Sequence, residues 1–309
     1  MVMKAVRFSD YGGPEVLRLV EIEAPHAGPG QVRIAVRAAG VNPSDWKRRA
    51  GQYRDFDPVA LPAGVGVEAS GIVDGIGPGV AGLSIGDAVF GFGDGTMAEQ
   101  AVLTHWALKP AAVPFEVAGG LPVIFDTATR ALDEVGVLFG ETLLVSGAAG
   151  GIGTAVVQLA RLRGITVIGT ASLPKQDYLA GLGAIPTTYG PGLGDRVKAL
   201  APEGVDAALD IAGSGVIPEL IDIVGDPRRV LSVADFSAEQ HGAKFSHGPP
   251  KDPAWILAVA AELCAEGLFR LAVDRTFPLD GVAEAQAVSA GGHVTGKLII
   301  SVTEGPIAS

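Results

Sequence analysis

The chain has 309 residues, 48% of them hydrophobic and 18% charged, a globular composition that excludes a disordered chain and has room for two modest domains. A formal net charge of −11 repels phosphate backbones over most of the surface, so nucleic acid is not an expected partner. The single cysteine, Cys264, excludes an intrachain disulfide and any multi-cysteine zinc site.

In chain order, the first third reads as β-rich. Residues 32–37, Val-Arg-Ile-Ala-Val-Arg, alternate as a half-buried strand does. Gly/Pro clusters at 12–14 and 28–30 punctuate the region, and short strands with glycine turns continue from Gly64 to Gly95. This predicts a barrel-like or sandwich-like domain. After Pro122 the pattern changes. An apolar strand at 143–145, a glycine-rich turn, a helix over 154–163 and a second strand at 166–170 make one βαβ unit. Further short apolar strands at 207–209 and 229–233 extend it into a parallel, doubly wound sheet. Pro253 opens a helix with apolar spacing over 255–267. The tail ends in a strand at 297–302 that is expected to return to the first domain. The expected organisation is thus an α/β chain with a β-rich domain at 1–122, completed by 272–309, and a dinucleotide-binding domain at 123–271. Residues 1–14 hold no signal-peptide-like apolar run, and the longest apolar stretch, 255–273, contains Glu262, Glu266 and Arg270. A soluble, cytoplasmic protein without a membrane partner is expected.

The strand ending at Val145 runs into Ser146-Gly147-Ala148-Ala149-Gly150-Gly151-Ile152-Gly153. A helix starting in this run aims backbone N–H groups and its positive dipole end at whatever lies before it, and the glycines let a pyrophosphate approach the backbone. Ala148 takes the first glycine position of the strict G-x-G-x-x-G pattern, but the strand-to-helix context is the required one. Gly147, Ala148, Ala149, Gly150, Gly151 and Ile152 are therefore candidate cofactor contacts; the plain alternative is an ordinary strand-to-helix turn. NAD-binding folds carry an acid about 20 residues on, for the ribose 2′-hydroxyl. Here the second strand ends in Gly169-Thr170-Ala171-Ser172, and the first acid is Asp177. Ser172 and Lys175 suit a 2′-phosphate instead, which favours NADPH. The plain reading of Lys175 is a solvated helix lysine.

Gly66-Val67-Glu68-Ala69-Ser70-Gly71, followed by Gly77 and Val80, resembles the signature of zinc alcohol dehydrogenases. In that family a zinc-ligating histidine stands where this chain has Val67, and a ligating cysteine where it has Asn42. The four-cysteine structural lobe is absent too, so no zinc is expected in either site. Glu68 reads as a buried carboxylate paired with a cation or with backbone. His241 and His247 lie in a Gly/Pro/Ser-rich loop without a third ligand, so no metal is expected there.

An ordered set of segments resembles the quinone oxidoreductase, or zeta-crystallin-like, branch of the medium-chain dehydrogenase/reductase superfamily. The set comprises residues 39–45 (Ala-Gly-Val-Asn-Pro-Ser-Asp), 86–91 (Gly-Asp-Ala-Val-Phe-Gly), 95–99, Thr127-Ala128, 144–153, 169–172, Leu182-Gly183-Ala184 and Gly296-Lys297-Leu298. It spans nearly the whole chain. The resemblance implies a GroES-like catalytic domain, a Rossmann domain and a homodimer. It further implies NADPH-dependent hydride transfer, without zinc, to a small-molecule quinone or other α,β-unsaturated carbonyl. It places Asn42 near the nicotinamide, Thr127 near the carboxamide, Ser172 and Lys175 at the 2′-phosphate, and Tyr189 beside the adenine-ribose phosphate. Val233 and Lys297 complete the implied cofactor contacts. Tyr53 lines the substrate side by the same resemblance; a partly buried loop tyrosine is the alternative. Asp45 reads as an acid or, better, as a turn cap. Thr129 stands where some enoyl reductases of the superfamily have a tyrosine. Alternative functions are an enoyl or alkenal reductase and a low-turnover NADPH-binding structural or sensing protein.

Overall fold

A computed structural model describes residues 2–302. The chain begins with β1 (Val2–Phe8), β2 (Leu17–Glu23), β3 (Val32–Val41), α1 (Pro43–Arg49), β4 (Ala63–Gly64), β5 (Glu68–Ile76), β6 (Ala88–Gly93), β7 (Gln100–Leu108) and α2 (Phe115–Ala118). Helix α3 (Leu121–Val135) leads to β8 (Thr142–Ser146), α4 (Gly151–Leu162), β9 (Thr166–Thr170), α5 (Gln176–Leu182), β10 (Ile185–Thr187) and α6 (Leu193–Leu200). There follow β11 (Ala207–Asp210), α7 (Ile217–Val224), β12 (Val230–Ser232), β13 (Lys244–Phe245), α8 (Pro253–Ala265), β14 (Val273–Pro278), α9 (Val282–Ala290) and β15 (Lys297–Ser301).

These elements form two compact units, residues 2–123 with 252–302 and residues 124–251. The first is built on a six-stranded sheet in the order β14-β15-β3-β5-β6-β7, with β3 also pairing β7. In β3 the expected alternation is met: Val32, Ile34 and Val36 are buried, while Arg33 turns outward to Asp74 at 2.8 Å. Their buried faces meet Val73, Val89, Met97 and Leu103 in one apolar core. The tail returns to this unit, as expected, because β15 pairs antiparallel with β3, Leu298 opposite Val41 and Ile300 opposite Ala39. One expectation needs correction. Residues 252–271 belong to the first unit rather than the second, since α8 packs on β7. Helical apolar spacing states that a face will be buried but not which sheet will bury it.

The second unit is a six-stranded, wholly parallel sheet in the order β10-β9-β8-β11-β12-β13. This is the doubly wound Rossmann order, whose two halves diverge between β8 and β11. The central strand β8 has Leu143, Leu144 and Val145 fully buried, the continuous apolar run of a strand covered on both faces. Two boundaries differ from expectation. Helix α4 starts at Gly151, three residues before 154, because the glycine run enters helical conformation at once. Strand β12 ends at Ser232, so Val233 lies just beyond it, and Pro227–Arg229 forms a 3-10 turn capped by Asp226.

Candidate functional site

The turn between β8 and α4 is shaped by two glycines that the fold requires and one that it does not. Gly147 adopts φ +80°, and a side chain on it would press on the Ala212 backbone at 3.1 Å. A Cβ on Gly153 would collide with the Gly147 carbonyl and lie 2.6 Å from Ala148 backbone carbons. Gly150 is different. It caps α4 in an extended conformation, φ −76° and ψ 177°, and a Cβ there would meet nothing nearer than the Gly147 oxygen at 3.7 Å. Thr154 N is bonded back to Gly150 O at 2.8 Å, so the amides of Gly151, Ile152 and Gly153 precede the carbonyls of their own helix. Ala148 and Ala149 are buried, and Ala148 N donates to Thr170 O at 3.1 Å, which fixes the turn to the end of β9.

The carboxyl ends of β9 and β10 lie side by side, with Thr187 opposite Thr170. Ser172 and Lys175 follow β9, and Lys175 N closes the connecting turn on Ser172 O at 2.9 Å. Tyr189 follows β10 and is 56% exposed. The fold therefore brings these three candidates to one sheet edge, on the side where Gly150 leads into α4.

Across the switch point, Asp210 ends β11 fully buried. Its carboxylate accepts from Ala212 N at 3.1 Å, Gly213 N at 3.0 Å and Ser232 Oγ at 2.8 Å. Burial pushes its carboxyl above the usual range, and these donors pull it back. Ser232 Oγ in turn accepts from Ala234 N and Asp235 N, at 3.0 and 2.9 Å. Val233 N donates to Asp210 O at 3.1 Å. The ends of β11 and β12 are thus laced together beside the nucleotide turn. Asp210 and Ser232 are absent from the sequence candidates. Their signal is a polar residue closing an otherwise apolar strand. Thr127 lies buried on α3, between Asp126 and the Arg130 that pairs with Asp126 at 3.7 Å and donates to Ser246 Oγ.

In the first unit, Glu68 opens β5 with its side chain wholly buried. Its Oε1 receives Asn42 Nδ2 at 2.8 Å and Lys297 Nζ at 2.7 Å, and its Oε2 receives Val123 N at 2.8 Å. Lys297 Nζ also donates to Asn42 Oδ1 at 2.6 Å. Gly40 makes this possible, because a Cβ there would collide with the Glu68 carboxylate. Both ends of the Asn42 amide are therefore fixed, and Glu68 is the paired, buried carboxylate expected of it. Asp45, the third residue of α1, reaches back to the N-cap Asn42: its Oδ2 accepts the Asn42 N–H at 2.7 Å, the turn-capping role read for it. Burial pushes the Asp45 carboxyl up to about 7; the Asn42 N–H, Lys297 and Arg48 oppose that rise and Glu68 adds to it. Tyr53 sits half-buried after α1 with its ring 5.4 Å from that of Phe56, and burial raises its phenol above the ordinary range.

Two family descriptions match the chain: an alcohol dehydrogenase GroES-like domain over residues 28–113 and a zinc-binding dehydrogenase over residues 192–300. The chain is 30% identical over 323 residues to the chloroplastic quinone-oxidoreductase QR1 of Triphysaria versicolor, covering 97% of this chain and 98% of that protein. The chain belongs to the quinone oxidoreductase branch of the medium-chain dehydrogenase/reductase superfamily. The quinone oxidoreductase of Coxiella burnetii has the same fold, with a TM-score of 0.85 at 30% identity over 98% of this chain and 100% of that one. A mycobacterial protein complexed with NADPH gives a TM-score of 0.85 at 26% identity, covering 97% of this chain and 99% of that one. The pikromycin polyketide synthase component PikAII of Streptomyces venezuelae is 36% identical over 304 residues, 90% of this chain but only 8% of that protein. The 2-methylene-furan-3-one reductase of Solanum lycopersicum is 36% identical over 199 residues, 59% of this chain and 50% of that protein.

One matched description names zinc, but in this quinone oxidoreductase relative the residues do not fit the ion. Val67 has no donor atom. The Asn42 oxygen is held by Lys297 Nζ, whose positive charge opposes a second cation there. Burial pushes the lone thiol, Cys264, up to about 12, far from the thiolate that zinc binds. His241 and His247 are both exposed, and no group of three or more His, Cys, Asp or Glu among the described residues could hold a metal. No helix among the described residues is long and apolar enough to cross a membrane.

Proposed function

We propose that the protein is an NADPH-dependent oxidoreductase that reduces a quinone or another α,β-unsaturated carbonyl acceptor without zinc. The observation that carries this reading is Gly150. The fold itself leaves room for a side chain there, yet the position is bare, directly before three helix-opening amides. A bare surface at a helix N-terminus suits a pyrophosphate, which needs close backbone approach and the positive dipole end. Gly147, Ala148, Ala149, Gly150, Gly151 and Ile152 would hold it. The acid-free end of β9, with Ser172, Lys175 and Tyr189 beside it, favours a 2′-phosphate over a free 2′-hydroxyl. The NADPH-bound mycobacterial structure supports the same choice.

When bound, such a cofactor supplies a hydride from its nicotinamide ring. The residues of this chain then have positioning to provide. Asn42 presents an amide locked at both ends, so it loses no rotamer freedom when a ring packs against it. Lys297, whose amine is committed to Asn42 and Glu68, acts through Asn42. Thr127 and Val233 would complete the nicotinamide contacts. Tyr53, whose phenol burial raises further above its ordinary range, offers an O–H on the acceptor side. The test is turnover with NADPH against a panel of quinones, enones and enoyl thioesters, beside titration of both cofactors by nicotinamide fluorescence. Oxidation of NADPH by quinones or enones is expected, with NADPH bound more tightly than NADH. No turnover with any acceptor would leave a binding protein, and a preference for NADH would refute the cofactor assignment.

A further inference from the structure

Ser172, Lys175 and Tyr189 sit on two separate loops, and the β9–β10 ladder that joins those loops ends at Thr170 and Thr187. Beyond that pair one further backbone bond joins them, from Ala171 N to Thr187 O at 3.1 Å. Two side chains add to it. Gln176, the first residue of α5, donates its Nε2 to Ala171 O at 3.0 Å, Ser172 O at 3.2 Å and Thr187 O at 3.1 Å. A single amide group thus reinforces the tie between the loop after β9 and the last residue of β10. Arg196, in the first turn of α6, serves the other loop. Its Nη2 donates to Thr188 O at 2.9 Å and Gly190 O at 3.0 Å, and its Nη1 donates to Pro191 O at 2.8 Å. The chain wraps around the guanidinium, helped by Gly190 and Gly192 at φ +87° and +79°. No ion pair joins Arg196 to a carboxylate among the described residues; both Nη groups are spent on holding backbone, while the buried Nε makes no hydrogen bond.

We infer that Gln176 and Arg196 are positioning residues for the 2′-phosphate, a clamp that makes the Ser172-Lys175-Tyr189 edge selective for NADPH. The inference rests on the NADPH reading above. Its physical basis is preorganisation: donors held before the ligand arrives need not be ordered on binding.

The test uses the full chain, with Gln176→Leu and Arg196→Met, and two probes that differ in the 2′-phosphate alone, 2′,5′-ADP and 5′-AMP. Dissociation constants come from calorimetry, and melting temperature is followed in parallel. Each variant is expected to lose on the order of tenfold in affinity for 2′,5′-ADP and less than about threefold for 5′-AMP, since one to two net hydrogen bonds of organisation are lost. A wild-type protein that binds the two probes alike refutes the NADPH reading itself. A selective wild type whose variants stay equally selective overturns the clamp alone. Equal weakening of both probes, with a lowered melting temperature, also overturns it, because a merely structural role acts on both ligands. Should Gln176→Leu fail to fold, Gln176→Asn, which keeps the amide but shortens its reach, carries the same comparison.

Discussion

Replacing Lys297 with methionine removes the one cation paired with Glu68 among the described residues. The two side chains are 4% and 0% exposed and their charged atoms lie 2.7 Å apart. After the change the Glu68 carboxylate keeps only the Asn42 amide and the Val123 N–H, both at 2.8 Å, and stays out of water. Breaking a buried pair from one side costs about 3–5 kcal/mol, because the remaining charge is uncompensated. Adding Glu68→Gln should recover about 2 kcal/mol or more, since a neutral amide needs no counter-ion. The three tryptophans, Trp46, Trp106 and Trp255, all lie in the first unit, so urea unfolding followed by their fluorescence reports on the unit that holds the pair. The reasoning fails if Lys297→Met unfolds within about 1 kcal/mol of wild type, or if the double variant loses the full sum of the two single losses.

Asp45 gives a pH dependence. Its folded-state value of about 7 lies above the ordinary 3.8, so between those limits the folded protein binds more protons than the unfolded chain. That contribution to stability is therefore complete below about pH 4 and is lost as pH rises through about 7, by up to about 4 kcal/mol at 1.36 kcal/mol per unit. Asp45→Asn keeps an oxygen for the Asn42 N–H and removes the titration. Its urea midpoint should exceed that of wild type at about pH 8 by more than it does at about pH 5; a gap that does not change with pH would count against the assignment. Gly150→Val should fold normally and lose cofactor binding, whereas Gly153→Val should lower the melting temperature sharply, because only the second collides with backbone. Circular dichroism with cofactor titration separates the two, and a folded Gly150→Val that still binds NADPH normally would show that the pyrophosphate lies elsewhere. Turnover should survive prolonged chelation, with no stoichiometric zinc in the purified protein by elemental analysis; zinc whose removal abolishes activity would refute the zinc-free mechanism.

Strand β9 falls on residues 166–170 as read from the chain, and the glycine-rich run stands between strand and helix as required. Both follow from alternation, apolar runs and bare backbone, which are properties of neighbouring residues and need no knowledge of the rest of the molecule. The same holds for Val67 and Asn42, whose side-chain chemistry alone argues against zinc. Other features depend on residues far apart in the chain. Glu68 reads as a carboxylate in need of a partner, but Lys297 is 229 positions away, and only the pairing of β15 with β3, and of β3 with β5, brings the two together. Asp210 and Ser232 become a linked pair only because β11 and β12 are neighbours in the sheet. Gln176 looks like a solvated helix residue until Thr187 is placed beside Ala171. The packing of α8 on β7 is hidden from the sequence for the same reason. Periodicity records which face of an element avoids water, whereas the partner that covers that face is chosen by the packing of the whole chain.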